Sequence, residues 1–154
     1  ISYFEDAYLI FQINRFSYSY KKQQVNPKKI YSIDNGFSYS NSISFSKDKG
    51  RMLENLVFLN LRRIYPDIYY YKEKGECDFV IKEKEKIKKA IQVCYILNYE
   101  NENREIDGLL EAMDKFKLKQ GLILTGNQKD TLKIKGRDII IMPVWEWITK
   151  KDKK

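Results

Sequence analysis

The sequence contains no histidine in 154 residues. Ser-His-Asp and Cys-His catalysis, histidine-ligated zinc and a histidine general base are therefore excluded. Any hydrolytic chemistry must rest on carboxylates, amides, Lys, Arg, Tyr and a hard metal ion. Cysteine is scarce: Cys77 and Cys94 are the two present, and they form no C-x-x-C pair. Both fall in strand-like apolar runs, where a free cysteine behaves as a small hydrophobe. Their spacing leaves a disulfide open, and a reducing, cytoplasmic setting fits best. No glycine-rich phosphate loop occurs. No apolar run approaches the roughly 20 residues of a bilayer-spanning helix, and no signal-peptide pattern opens the chain. The first residue is Ile1, which points to a piece of a longer protein.

Positive charge is abundant. Lys and Arg total 29 against 21 Asp and Glu, a net charge of +8. Such an excess favours polyanions, chiefly nucleic acid. A lysine-rich composition also arises from genome bias, and the tail Lys150–Lys154 can be a solvated end. Hydrophobic residues make up 43% of the chain, enough for one domain with a real core and a fragment of a second.

Ser2 as N-cap with Glu5 three residues on reads as a capping box, which predicts a short helix following Ser2 through about Leu9. Ile10–Phe16 reads as a strand and the polar stretch Ser17–Lys28, with Pro27, as a loop or hairpin tip. Lys29–Ile33 alternates as a strand and stops at the turn signal Asp34-Asn35-Gly36. Helix, strand, loop, strand is the back half of a winged-helix unit, too small to bury a good core alone. Phe37–Lys49 is a Ser- and Asn-rich connector. Gly50–Ile64 is a helix with Leu53, Leu56, Val57, Leu61 and Ile64 at helical spacing, ended by Pro66. Glu54 shares a face with Val57, Phe58 and Leu61.

Strands are expected at Ile68–Tyr71, Glu76–Lys82 and Lys88–Leu97, with Glu83–Ile87 as the turn between the last two. A hairpin centred near Glu85 sets Asp78 opposite Gln92, on one face. Asn101–Leu118 is an amphipathic helix. Gly121–Thr125, Lys133–Lys135 and Ile139–Met142 are short strands, and Pro143 starts a last helix through Trp145 and Ile148. The order implies a mixed α/β sheet with helices packed on it.

An acid on a helix (Glu54), an acid opening a strand (Asp78) and an amide oxygen on the next strand (Gln92) outline a divalent-metal nuclease site. Alternatives stand beside each. Glu54 can be a buried acid bonded to backbone or Arg104, Asp78 a strand-end acid paired with a lysine, and Gln92 a satisfied core amide. Arg104 can simply pair with Glu105 or Asp78. The cluster Tyr69-Tyr70-Tyr71 can stack on bases but reads better as packing.

From Gly50 onward the pattern resembles the PD-(D/E)XK restriction-endonuclease-like superfamily. Nearly the whole chain is similar to the C-terminal region of a family of archaeal and bacterial AAA-type ATPases, in which an ATPase module and a winged helix precede a nuclease-like domain. The residues that carry the likeness are Lys29–Gly36, Gly50–Asn55, Glu76–Val80, Ile91–Tyr95, Arg104-Glu105, Gly121–Thr125 and Pro143–Trp147. The resemblance implies a partial winged-helix and connector segment over 1–46 and a nuclease-like domain over 47–154. It implies Mg²⁺ or Mn²⁺ on Glu54, Asp78 and Gln92, and ATP only in a module upstream. Nucleic acid and that ATPase module are the implied partners; no membrane is.

Two departures from the pattern matter. Gln92 stands where the superfamily has Glu or Asp, and Cys94 where it has the lysine that positions water and meets developing negative charge. Arg104 is the preferred substitute cation, with Lys89 behind it. The expectation is a nucleic-acid-binding, nuclease-like domain with weak or lost phosphodiesterase activity. The competing expectation is a non-catalytic protein-interaction or assembly domain of the ATPase.

Overall fold

The computed structural model describes residues 1–36 and 48–150. Helix α1 (Ser2–Asp6) leads into strand β1 (Ile10–Asn14). The helix starts one residue earlier than expected: the backbone N–H groups of Phe4 and Glu5 both donate to the Ile1 carbonyl, which makes Ile1 the N-cap. It stops at Asp6, short of Leu9, and Tyr8 takes a left-handed φ of 56°.

The stretch expected to be loop contains α2 (Tyr20–Val25), begun by Ser19, whose hydroxyl accepts from the Lys22 backbone N–H. It buries no residue, so it left no apolar periodicity to read. Strand β2 (Lys28–Ser32) returns antiparallel to β1, with Phe11 opposite Tyr31 and Ile13 opposite Lys29. Most of the expected connector, residues 37–47, and the last tail residues, 151–154, lie outside the described residues.

The rest runs α3 (Asp48–Ile64), β3 (Ile68–Lys72), β4 (Glu76–Glu83), β5 (Lys86–Val93), α4 (Glu102–Phe116), β6 (Gln120–Thr125), β7 (Asp130–Ile134), β8 (Arg137–Pro143) and α5 (Val144–Thr149). Six strands form one sheet in the order β3-β4-β5-β6-β8-β7. The pairs β5–β6 and β6–β8 are parallel and the others antiparallel, so the sheet is mixed as expected. The β4–β5 turn tightens to Lys84-Glu85, with Glu83 paired to Lys86. Strand β5 leaves the ladder at Val93, short of Leu97, and β7 begins at Asp130, ahead of Lys133. Pro143 closes β8 and serves as N-cap of α5.

Each face of the sheet is covered. Ile106, Leu109, Leu110 and Met113 of α4 pack on Val80, Ala90, Ile123 and Ile139. On the other face Val57, Phe58 and Leu61 of α3 join Phe11 and Tyr31 of the β1–β2 hairpin over Phe79 and Ile91. The hairpin therefore shares the sheet's core, because its own few apolar residues are too little to fold on. It is also tied to the sheet edge: the Phe16 backbone N–H donates to the Tyr70 carbonyl at 2.8 Å. Among the described residues no helix is long and apolar enough to cross a membrane.

One glycine fixes how closely α4 approaches. A Cβ at Gly108 would lie 2.1 Å from the Glu76 carbonyl oxygen, so only glycine lets the helix backbone touch β4 there.

Candidate functional site

The site begins with a break in strand alternation. The β3–β4 pairing passes from Tyr69–Val80 to Tyr71–Cys77. Two residues of β4, Asp78 and Phe79, thus stand opposite the single Tyr70, which is a β-bulge. Phe79 enters the core under α3, and Asp78 turns to that same side. Glu76, two residues earlier, shares it.

The hairpin brings a cation to meet these acids. Lys29 and Tyr31 lie two apart on β2 and so point the same way. Tyr31 stacks on Phe58 with ring centroids 4.2 Å apart, and its hydroxyl donates to Glu54 Oε1 at 2.7 Å. Asn55 of α3 pins the strand: its Oδ1 accepts from the Ser32 backbone N–H at 2.9 Å and its amide donates to the Ser32 carbonyl at 3.1 Å. With its backbone held, Lys29 places Nζ 2.7 Å from Asp78 Oδ1, 2.9 Å from Glu76 Oε1 and 3.2 Å from Glu54 Oε1.

Three carboxylates around one ammonium leave an excess of negative charge, and the proton affinities follow it. Burial, then the charge of Glu54, push the Asp78 carboxyl up to about 7 against the pull of Lys29. Burial works to lower the Lys29 ammonium, but Asp78 and Glu54 outweigh it and hold it well above the ordinary lysine value. Burial and Glu54 raise the Tyr31 hydroxyl. For Glu76 burial opposes ionisation, yet hydrogen bonds from Lys29 and Lys72 bring it below the usual carboxylate value.

The structure brings Glu54 and Asp78 together, with Glu76 as the third acid. Gln92 does not join them around Lys29. Its amide donates to Glu105 Oε2 on α4 at 2.5 Å, and its Oε1 accepts from the Asp78 backbone N–H at 3.0 Å. Arg104 pairs with Glu105 and leaves its side chain 79% exposed. Lys89 donates to the Tyr65 hydroxyl. Cys94 is a buried free thiol, pushed up to about 11 by burial and by Glu105, and so is neutral at pH 7. Cys77 is free as well.

Sequence reasoning passed over Lys29, Tyr31, Glu76, Glu105 and Asn55 as site residues. The spacing of Glu76 and Asp78, and of Lys29 and Tyr31, was a usable signal, since residues two apart share a strand face. Nothing local paired one set with the other.

Glu54, Glu76 and Asp78 line a cleft of about 750 Å³, together with Gln92 and Glu105. Lys49, Arg51 and Arg104 line the same cleft. The oxygen donors suit Mg²⁺ or Mn²⁺ chemically, but the point they surround is filled by Lys29. As they stand, no three acidic or thiol side chains among the described residues close to metal-ligand geometry.

Residues 49–147 match the family described as "Domain of unknown function (DUF4143)". The chain belongs to this family. The DUF4143 match runs from within α3 to within α5 and omits the hairpin that supplies Lys29. A Methanocaldococcus jannaschii protein named "Uncharacterized protein MJ1544" is 43% identical over 158 residues, covering 96% of this chain and 34% of that protein. The chain thus spans about a third of the length of the curated relative it matches.

Proposed function

We propose that this chain is a nucleic-acid-binding, nuclease-like module of an AAA-type ATPase, with phosphodiester cleavage weak or lost. The observation that carries the reading is the cleft itself, lined by both the acids Glu54, Glu76 and Asp78 and the bases Lys49, Arg51 and Arg104. A phosphodiester needs both kinds of group. The cations hold the flanking phosphates, and the acids address the one at the centre. A Mg²⁺ or Mn²⁺ ion on the acids would supply charge neutralisation and an activated water. Weak or lost cleavage follows from the amide at Gln92, engaged with Glu105, and the neutral thiol at Cys94.

The test is a mobility shift on single- and double-stranded DNA and RNA at low salt, followed by a cleavage assay with Mg²⁺ and Mn²⁺. The expected outcome is binding that weakens steeply as salt rises, with little cleavage. No shift at low salt would overturn the reading. A second reading, an assembly domain of the ATPase, draws on apolar residues left exposed, Trp145 and Ile148 on α5 and Tyr3 and Phe4 on α1. Absence of nucleic-acid binding would favour it.

A further inference from the structure

We propose that Lys29 is an exchangeable cation of the acidic site. Its ammonium holds the seat that a divalent ion would take, and once displaced it stays beside Asp78 as the positive charge that position 94 lacks. This rests on reading the cleft as a nuclease-like site.

Four observations carry it. First, the seat is shared: the oxygens of Asp78, Glu76 and Glu54 lie 2.7, 2.9 and 3.2 Å from one nitrogen. A Mg²⁺ ion bonds oxygen at about 2.0–2.1 Å, so the acids must draw inward, and they can do so only after the ammonium leaves. Second, one positive charge faces three negative ones, with Lys72 reaching Glu76 alone; a doubly charged ion balances the acids better. Third, the backbone of Lys29 is anchored independently of its tip, so the ammonium can leave without moving the strand. Tyr31 and Asn55 anchor β2 to α3, whereas a lysine is a compact charge on a flexible four-carbon stem. The Lys29 side chain is 21% exposed, so it is not sealed in the core. Fourth, a place to go is near: the ammonium already lies 5.7 Å from the centre of the Tyr70 ring, within cation–π range.

The experiment uses the whole chain and reads bound Mn²⁺ by electron paramagnetic resonance and melting temperature in EDTA or Mn²⁺. The variants are Lys29→Met, Lys29→Arg and Lys29→Met with Asp78→Asn. Lys29→Met is expected to melt below wild type in EDTA, to recover in Mn²⁺, and to bind one Mn²⁺ at least tenfold more tightly than wild type. Lys29→Arg, which keeps a cation in the seat, is expected to show no gain. Adding Asp78→Asn is expected to abolish the gain.

Equal Mn²⁺ affinity in wild type and Lys29→Met overturns the proposal, as does a gain that survives Asp78→Asn. If Lys29→Met is unfolded in EDTA, folding on addition of Mn²⁺ supports the exchange, and failure to fold, repeated in Lys29→Gln, overturns it. Wild-type nucleic-acid binding, measured separately, bears on the nuclease-like reading and leaves the Mn²⁺ result standing.

Discussion

Gln92 and Asp78 occupy facing positions on neighbouring strands, yet their side chains leave the sheet on opposite sides. Asp78 reaches Lys29 beneath α3, while Gln92 donates to Glu105 on α4. The Asp78 backbone N–H, donating to Gln92 Oε1, joins them. Restoring an acid at position 92 therefore sets it against Glu105 before it can serve the Lys29 centre. Gln92→Glu is expected to cost about 2–3 kcal/mol at pH 7, as a lost buried hydrogen bond becomes a like-charge contact. Adding Cys94→Lys should recover part of that loss, because the Cys94 thiol already feels the charge of Glu105. Urea unfolding of the two single variants and the double variant measures the coupling; simple additivity would argue against it.

Stability should depend on pH through Asp78. Its carboxyl is pushed up to about 7 in the fold, against roughly 3.9 in an unfolded chain. The folded state therefore holds this proton more tightly, and stability falls as pH rises from about 4 to about 7. The expected decline is about 3 kcal/mol, read from urea midpoints across that range. Asp78→Asn should flatten this part of the curve, and an unchanged slope would show that another group is responsible.

Tyr31→Phe keeps the stack on Phe58 and removes the hydroxyl that donates to Glu54. A buried hydrogen bond to a carboxylate contributes about 1.5–3 kcal/mol, so the melting temperature should fall by several degrees with the fold intact. Because Tyr31 and Lys29 share Glu54, this loss and that of Lys29→Met should not add.

Gly108→Ala places a methyl against the Glu76 carbonyl, with backbone on both sides of the contact. The expected cost is about 3 kcal/mol, at the upper end for overpacking. The equivalent change at Gly50, where an added Cβ meets nothing within 4 Å, serves as the control and should be mild.

Removing the cleft cations together, Lys49→Ala, Arg51→Ala and Arg104→Ala, should weaken nucleic-acid binding and make its salt dependence shallower by about 2–3 in the log–log slope. Arg104 is also the cation paired with the buried Glu105, so its part of the change should lower the melting temperature as well, and Lys49→Ala with Arg51→Ala separates the two effects. An unaltered slope would move the binding surface elsewhere.

The sequence by itself determined the layers of this protein. Leu109, Leu110 and Met113 recur at helical spacing, and Val57, Phe58 and Leu61 do the same, so two amphipathic helices had to cover a sheet whichever way it was ordered. The β4–β5 hairpin was legible, but its register was not fixed by the turn alone: symmetry about Lys84-Glu85 would face Asp78 with Ile91, and a one-residue shift between Ile81 and Lys82 pairs Ile91 with Phe79 instead. Tertiary structure alone decided the site. A bulge at Asp78-Phe79 turns Asp78 away from the face that strict alternation gives it, and a bulge depends on the neighbouring strand rather than on a local pattern. Lys29 comes from 49 residues upstream, through a hairpin with no core of its own. Its meeting with Glu54, Glu76 and Asp78 follows from Tyr31 stacking on Phe58 and Asn55 holding Ser32, contacts that exist only once the chain is folded.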